Sequence, residues 1–205
     1  MDPIIRRLLF SILALVLCSI NLKAFGFEKL DAKYTPSFGD KYATIQMTEY
    51  FSFSCEKCLR FINRDFMQIK EELIDTGKVF WTFHPDPADL LTLQLMICLE
   101  KLSTQEKGEF FLLASQKAAK NHRKAAKWMA ETLKFRGNGG EEFLSVAALE
   151  KAPATKAAMD YLKQEDAPIL IPTIEINGEL RKEFPTVSLI KSLIHTQEHV
   201  CNLKN

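Results

Sequence analysis

Glycine and proline are scarce in this sequence, with eight of each among 205 residues. Hydrophobic residues make up 47% and charged residues 26%, which together with that scarcity argues against a disordered chain and predicts an ordinary globular protein rich in helix. The sequence also has no large excess of positive or negative residues, since the formal net charge is +1. We therefore expect no nucleic-acid partner. The length suits one well-cored domain and is too short for two of ordinary size.

A hydrophobic run long enough to cross a membrane is missing as well. The apolar run at residues 8–20 has about 13 residues, whereas a membrane-spanning helix needs roughly 20. It follows Arg6-Arg7 and precedes Ala24-Phe25-Gly26, an arrangement typical of a cleaved signal peptide. We predict a signal peptide at residues 1–26 and one domain at residues 27–205, located in the periplasm or elsewhere outside the cytoplasm. A membrane anchor and lipidation at Cys18 are the alternatives.

Cysteine is sparse too, with five residues in all. Removal of residues 1–26 would leave Cys55, Cys58, Cys98 and Cys201. Disulfides persist in an oxidising compartment, so these four thiols could pair completely. Cys98 and Cys201 would then form a structural disulfide, although Cys98 could equally be a buried free thiol. A second Cys-x-x-Cys motif is absent, whereas structural zinc sites ordinarily need four ligands.

The hydrophobic pattern changes period twice near the start of the predicted domain. Alternating polar and apolar residues predict a strand at 42–53, and apolar residues three and four apart predict a helix that follows Cys55 and ends near Gly77. A second strand is predicted at 78–83, ended by the two prolines of residues 84–87. A strand, helix and strand of this length imply parallel pairing of the two strands.

The hydrophobic pattern of the remaining residues predicts helices followed by a second set of strands. Five helices are predicted, at residues 90–102, 106–120, 123–135, 141–150 and 155–164. A strand is predicted at 169–176, and Asn177-Gly178 then indicates a hairpin that leads into a strand at 179–184. A final helix is predicted at 185–200, beginning at a proline. The pattern predicts a helical insertion between two halves of a sheet.

Cys55 and Cys58 lie where the first predicted strand passes into a helix. Residues three apart on a helix are neighbours, so the two sulfurs can form a disulfide. At the helix N-terminus the first sulfur faces unpaired backbone N–H groups and the positive end of the helix dipole, which favour thiolate over thiol. In such motifs the thiol pKa falls from about 8.5 to between about 3.5 and 7.5. We expect Cys55 to be the nucleophile and Cys58 the resolving thiol.

Glu56 and Lys57, between the cysteines, are expected to tune the redox potential in opposite directions. The Glu56 carboxylate disfavours a thiolate at Cys55 and the Lys57 ammonium favours it, each by less than about 1 kcal/mol if exposed. A disulfide is a stronger oxidant when its reduced form is more stable. Because of Glu56, we expect a pair less oxidising than the strong-oxidant limit of about −120 mV.

The segment Glu49-Tyr50-Phe51-Ser52-Phe53-Ser54-Cys55-Glu56-Lys57-Cys58 closely resembles the strand-to-helix junction of the DsbA-type disulfide oxidoreductases of the bacterial envelope. Residues 171–178 are similar to the segment where the thioredoxin superfamily carries a cis-proline opposite the cysteine pair. The resemblance implies an α/β class and a thioredoxin-like fold, with a helical insertion at about residues 88–165 between the βαβ and ββα halves. The dipeptide Glu56-Lys57 departs from the Pro-His common in the strong oxidants.

The resemblance also implies roles for individual residues. Glu49 matches a buried acidic residue, six positions before the nucleophilic cysteine, that assists proton transfer as a catalytic group. Such a role is physically reasonable, because a carboxyl in a dry site has a raised pKa and can exchange protons with the resolving thiol. Pro172 matches the cis-proline, and Ile171 and Thr173 beside it would bind an extended substrate chain. The alternatives are an exposed carboxylate at Glu49 and a trans-proline at Pro172.

These residues predict an enzyme, a protein disulfide oxidoreductase that acts on exported proteins bound as extended chains. The direction of electron flow stays open between oxidase and reductase. We expect a monomer without cofactor or metal, recycled by a redox partner that could lie in the membrane. The alternatives are a periplasmic protein that holds copper through Cys55 and Cys58, and a thioredoxin-like chaperone without turnover.

A basic stretch follows in the predicted insertion, between Lys117 and Lys134. It could form a patch for acidic partners, but a solvated helix face is the interpretation that the sequence favours. Its basic residues include Lys117, Lys120, His122, Arg123, Lys124 and Lys127.

Overall fold

The structure is a computed structural model. It describes residues 27–135, 146–168 and 170–202, without the side chains of residues 135, 146–147 and 197–202. The predicted signal peptide at residues 1–26 and positions 141–145 of one predicted helix lie outside the described residues. Among the helices that are described, none is both long and apolar enough to span a membrane.

Five strands form one mixed sheet. They are β1 (Ser37–Phe38), β2 (Ile45–Phe51), β3 (Val79–Pro85), β4 (Thr173–Ile176) and β5 (Glu179–Arg181). Their order across the sheet is β1-β3-β2-β4-β5, so β2 lies at the centre. β2 pairs with β3 in parallel, as predicted, and the other three pairings are antiparallel. The sheet confirms the predicted α/β class and the thioredoxin-like order of its halves.

The described helices surround this sheet. They are α1 (residues 56–74), α2 (Leu90–Glu100), α3 (Thr104–Lys120), α4 (His122–Phe135), α5 (Val146–Lys151), α6 (Pro153–Leu162) and α7 (Val187–Asn202), with a 3-10 turn at Ala32–Tyr34. Helices α2 to α6 form the predicted insertion between β3 and β4. α1 ends as predicted before Gly77, which has a φ of 77°, and the Lys78 N–H donates to the Leu73 carbonyl at 3.0 Å.

Aromatic side chains pack β2 and β3 against the helices. Phe51 of β2 lies 5.9 Å from Phe83 of β3 and 5.1 Å from Phe111 of α3, measured between ring centroids. Phe83 in turn lies 4.7 Å from Phe66 of α1. Because all four rings are fully buried, this cluster fixes α1 and α3 on one face of the sheet.

The prediction that prolines end the second strand at residue 83 is wrong, since β3 continues through His84 and Pro85. The Asp86 N–H donates to the Phe51 carbonyl at 2.7 Å, and the Phe83 N–H donates to the Pro36 carbonyl on the opposite side. Successive N–H groups along a strand point to opposite sides. The Asp86 N–H points toward β2, so the nitrogen of Pro85, which carries no hydrogen, points away from β2. A proline is tolerated there because β1 has already ended on that side.

The strands β4 and β5 are shorter than predicted. β4 begins at Thr173 rather than near residue 169, and the Ile171–Pro172 peptide bond immediately before it is cis. The predicted hairpin is present, with positive φ at both Asn177 (48°) and Gly178 (87°), as a two-residue turn of this kind requires. β5 ends at Arg181, three residues before the predicted end.

His84 fastens the N-terminal segment to the sheet. Its Nε2 accepts a hydrogen bond from the Leu30 N–H at 2.9 Å, so the buried ring is held neutral. Burial, helped by the charge of Lys29, lowers the pKa of His84 to about 3. The ring also lies between Tyr50 and Tyr161, 4.9 Å from each centroid.

We expect acid to destabilise the protein through His84. An unfolded histidine has a pKa near 6.5, so between pH 7 and pH 5 the unfolded state takes up a proton that the folded state excludes. The free energy of unfolding should fall by about 2 kcal/mol from this group alone. His84→Gln keeps an acceptor but cannot titrate, so urea unfolding should show a smaller decrease for it than for wild type. The exposed control His122→Gln should behave like wild type, and equal decreases in wild type and His84→Gln would refute this assignment.

Candidate active site

Cys55 and Cys58 form a disulfide at the start of α1, with their Cα atoms 5.3 Å apart. Cys55 is the N-cap residue, with extended backbone angles, and its Sγ accepts a hydrogen bond from the Cys58 N–H at 3.1 Å. A sulfur at this position receives the free N–H groups of the helix N-terminus. The predicted pairing of the two cysteines at a strand-to-helix junction is confirmed.

The two sulfurs differ in access. Cys58 is fully buried under the first turn of α1, whereas Cys55 is partly exposed. A disulfide is broken by a thiolate that reaches one of its sulfurs. An external thiolate can therefore attack Cys55 and leave Cys58 as the departing group.

The turn that carries Cys55 is fastened to the helical insertion by residues that sequence reasoning missed. Asp89, the N-cap of α2, accepts hydrogen bonds from the Ser52 hydroxyl at 2.5 Å and from both the backbone N–H and the hydroxyl of Thr92. Thr92 Oγ1 in turn accepts from the Phe53 N–H at 2.8 Å. An aspartate immediately before an apolar helix is a recognisable N-cap signal, but its bond to Ser52 has no signature in sequence.

The cis-proline segment lies next to the reactive sulfur. The Ile171 carbonyl oxygen is 3.9 Å from Cys55 Sγ, and Pro172 follows through the cis bond. Thr173 is buried at the start of β4, where it pairs with Tyr50 of β2. The structure thus brings Ile171, Pro172 and Thr173 beside the cysteine pair, while their role in substrate binding stays a prediction.

Glu49 is fully buried, and neither of its carboxylate oxygens has a hydrogen-bond partner among the described residues. It pairs with Phe83 and Ile174 in the centre of the sheet. Side chains alternate along a strand, so Glu49 points to the same face as Phe51, the face that α1 covers. Burial raises the pKa of Glu49 well above its usual value of 4.5, which favours a protonated, neutral carboxyl.

Glu56 and Lys57 are exposed on the first turn of α1. The Glu56 carboxylate forms an ion pair with Arg60 at 3.0 Å, and 88% of its side chain is accessible to solvent. Water and Arg60 both weaken its effect on Cys55. The expected effect of Glu56 on the redox potential is therefore small.

Cys98 is a free, buried thiol in α2, and burial raises its pKa. The side chain of Cys201, its possible partner, lies outside the described residues. Within the described part of the chain, no three histidine, cysteine, aspartate or glutamate side chains lie together as metal ligands. The cysteine pair thus has no third ligand of these types there.

The family assignment follows from comparison with known proteins. The sequence profile of the family described as Thioredoxin matches residues 31–196, most of the chain. The chain belongs to the thioredoxin family. No curated protein matches the sequence of this chain significantly.

Solved structures with the same fold extend the comparison. The crystal structure of Wolbachia pipientis alpha-DsbA1 has a TM-score of 0.63 at 19% identity, covering 85% of this chain and 96% of that one. Oxidised BdbD from Bacillus subtilis has a TM-score of 0.58 at 18% identity, covering 84% and 97%. MdbA, described as a thiol-disulfide oxidoreductase from Actinomyces oris, has a TM-score of 0.57 at 16% identity, covering 84% and 90%. This member of the thioredoxin family therefore combines the fold of the disulfide oxidoreductases with a Cys-x-x-Cys pair at disulfide distance.

We expect Glu49→Gln to raise the free energy of unfolding and to slow disulfide exchange. Folded Glu49 holds its proton more tightly than the unfolded residue, so wild type loses stability as pH rises above about 4.5. Glutamine cannot ionise, and the variant should therefore gain free energy of unfolding over wild type by a margin that grows from pH 5 to pH 8. The proton-transfer role that the resemblance implies for Glu49 predicts that the variant exchanges disulfides roughly 100-fold more slowly or worse.

Glu175→Gln is the matched control in the neighbouring strand. Its buried carboxylate pairs with Lys29 at 2.5 Å and accepts from the Tyr50 hydroxyl at 2.8 Å. Removing that charge should lower the free energy of unfolding, opposite to the effect at Glu49, because glutamine offers one acceptor oxygen to two donors and leaves Lys29 without a charged partner. Chemical unfolding monitored by circular dichroism measures both variants. A Glu49→Gln variant less stable than wild type at pH 8 would be inconsistent with a buried, unpaired carboxyl.

Proposed function

We propose that the protein is a thiol-disulfide oxidoreductase that acts on exported proteins by dithiol-disulfide exchange through Cys55 and Cys58. The observation that carries this proposal is the disulfide at the N-terminus of α1, in which Cys55 alone is accessible. Buried cysteines are inert, whereas an exchange enzyme must present one sulfur to its substrate.

The reaction proceeds through a mixed disulfide. A substrate thiolate attacks Cys55 Sγ, the Cys55–Cys58 bond breaks, and Cys58 departs as a thiolate. A second substrate thiolate then attacks the substrate sulfur of the mixed disulfide and releases Cys55 as a thiolate. The substrate loses two electrons and gains a disulfide, and the cysteine pair gains the two electrons. The reverse sequence reduces a substrate disulfide.

The helix N-terminus assists the step that releases Cys55. The Cys58 N–H, 3.1 Å from Cys55 Sγ, and the positive end of α1 both stabilise negative charge on this sulfur. A stabilised thiolate is a better leaving group, so the mixed disulfide resolves faster. This stabilisation of the Cys55 thiolate needs no cofactor, because the backbone of α1 supplies all of it.

Glu49 supplies the proton that Cys58 needs. Cys58 is fully buried, so a thiolate formed there has no water to solvate it. A neutral carboxyl on the same face of the sheet can donate its proton to the departing sulfur and recover it when the disulfide re-forms. Burial raises the pKa of Glu49, which favours the protonated form that this step requires.

The segment before β4 holds the substrate chain. The Ile171 carbonyl lies beside Cys55 Sγ, and Pro172 has no N–H with which to join a strand ladder. An extended substrate can therefore lie along Ile171 to Thr173 with its cysteine facing Cys55. Export is supported by the signal-peptide pattern at residues 1–26. We propose a monomer that a separate redox partner recycles, in the membrane or beside it.

We expect the purified chain to catalyse the reduction of insulin by dithiothreitol, measured as turbidity. Cys55→Ala and Cys58→Ala should both lose catalysis, since each removes half of the exchanging pair. Cys98→Ala is the control, because that thiol is buried and has no disulfide partner among the described residues, and it should retain turnover. A wild-type chain that carries bound metal and shows no turnover would support copper binding instead.

The redox potential decides the direction of exchange and tests the part played by Glu56. We expect equilibration with glutathione to give a potential more negative than about −120 mV. Glu56→Gln should shift that potential by about 20 mV or less, because the side chain is exposed and paired with Arg60. A wild-type value near −120 mV, or a much larger shift in the variant, would disprove this account of the dipeptide.

A further inference from the structure

A groove lies beside Cys55 on the side of the helical insertion. It consists of two adjoining depressions of about 420 and 360 Å³, and Ser54 and His122 line both. Ser54 and Glu56, the neighbours of Cys55 in the chain, line the larger depression. We call this feature the insertion groove, and its polar rim includes Ser54, Glu56, Arg60, Arg64, His122 and Arg123.

The rim of the insertion groove carries an excess of positive charge. Its two carboxylates are already engaged, Glu56 with Arg60 and Asp89 with Ser52 and Thr92. Arg64 and Arg123 are exposed, and neither has a carboxylate partner among the described residues. Two arginine side chains on the rim of the insertion groove are therefore available to an anionic ligand.

Residues near the insertion groove add further positive charge. Residues 110–130 contain five lysines and arginines and no aspartate or glutamate. Residues 119–124, the turn between α3 and α4, are all exposed, so Lys120 and Lys124 lie beside His122 and Arg123 at this end of the insertion. From the sequence this stretch looks like a solvated helix face, but the fold places one end of it next to Cys55.

The base of the insertion groove is apolar. Leu59, Ala118 and Ala119 line one depression, and Leu91 and Ala126 line the other. A groove with an apolar base and a basic rim suits a polypeptide segment, whose aliphatic carbons cover the base while its carboxylates reach the arginines.

We propose that the insertion groove binds acidic side chains that flank the reactive cysteine of an extended polypeptide substrate. The inference rests on the proposed function, because the occupant must present its cysteine to Cys55. Ile171 to Thr173 hold the backbone beside the sulfur, and the insertion groove adds selectivity for aspartate and glutamate near it.

The expected preference is moderate and depends on salt. Exposed ion pairs contribute little each and weaken beyond a Debye length, about 10 Å at 0.1 M ionic strength. Two such pairs, with the added attraction of neighbouring lysines, should speed the reaction of an acidic peptide about fivefold over a neutral one at low salt. Near 1 M salt the preference should largely disappear.

The test compares two single-cysteine peptides, one flanked by glutamates and one by glutamines in the same positions. Each is mixed with the oxidised chain, the reaction is quenched with acid, and the mixed disulfide is quantified by chromatography. Acidic neighbours also lower the thiolate fraction of the peptide, so each rate is divided by the rate of the same peptide with the neutral disulfide of 2-mercaptoethanol.

The ratio of the two corrected rates should be about five for wild type and should fall to about one in the double variant Arg64→Gln/Arg123→Gln. Lys78→Gln removes an exposed charge before β3, at the opposite end of the parallel strands from Cys55, and should keep the wild-type ratio. A wild-type ratio near one, or an unchanged ratio in the double variant, overturns the acidic specificity. Failure of both peptides to form a mixed disulfide would instead overturn the proposed function.

Discussion

The start of α1 at Cys55 is the constraint on which the rest of the candidate site depends. An N-cap sulfur receives the free N–H groups of the helix, and the residue three positions later turns back beneath it. A helix rotates by about 100° per residue, so a start displaced by one position would carry Cys58 away from Cys55. The turn is held in place by Ser52 and Phe53, which bond to Asp89 and Thr92 of the insertion. The helical insertion thus helps to define where the helix begins.

The buried polar groups of the sheet fall into two kinds. Glu175, Lys29 and Tyr50 satisfy one another, and His84 accepts the Leu30 N–H. Glu49 has no such partner among the described residues, although it lies in the central strand. A buried carboxyl without hydrogen bonds costs stability, and proteins keep such groups mainly where their proton has a use. The fold therefore loses stability at Glu49, the position for which we propose proton transfer.

Much of this architecture could be predicted from the sequence because its signals are local. The period change at Cys55, the asparagine-glycine turn and the glycine after α1 each act over a few residues, and each predicted element is present where the structure describes the chain. The continuation of β3 through Pro85 could not be predicted, because it depends on where a distant strand, β1, ends. The strand pattern did not indicate the late start of β4 at Thr173, whereas the resemblance implied the cis bond before Pro172.

The candidate site was only partly predictable, because some of its contacts join residues that are far apart in the sequence. Cys55, Cys58 and Pro172 belong to short motifs, whereas the bond of Asp89 to Ser52 joins residues 37 positions apart. The basic turn between α3 and α4 has an ordinary sequence, and only the packing of α3 and α4 against α1 and α2 brings it to the cysteine pair. Its charge can act on a substrate only because of that tertiary arrangement.

The central claim is that Cys55 is the exchanging sulfur and Cys58 the resolving one, and trapping the intermediate tests it most directly. Reduced Cys58→Ser and Cys55→Ser chains are each mixed with a peptide that contains one disulfide, and the products are separated without reductant. We expect a stable mixed disulfide at Cys55 with Cys58→Ser, since nothing resolves it, and none at Cys58 with Cys55→Ser, because Cys58 is buried. An adduct formed equally by both variants, or by Cys55→Ser alone, would contradict the account.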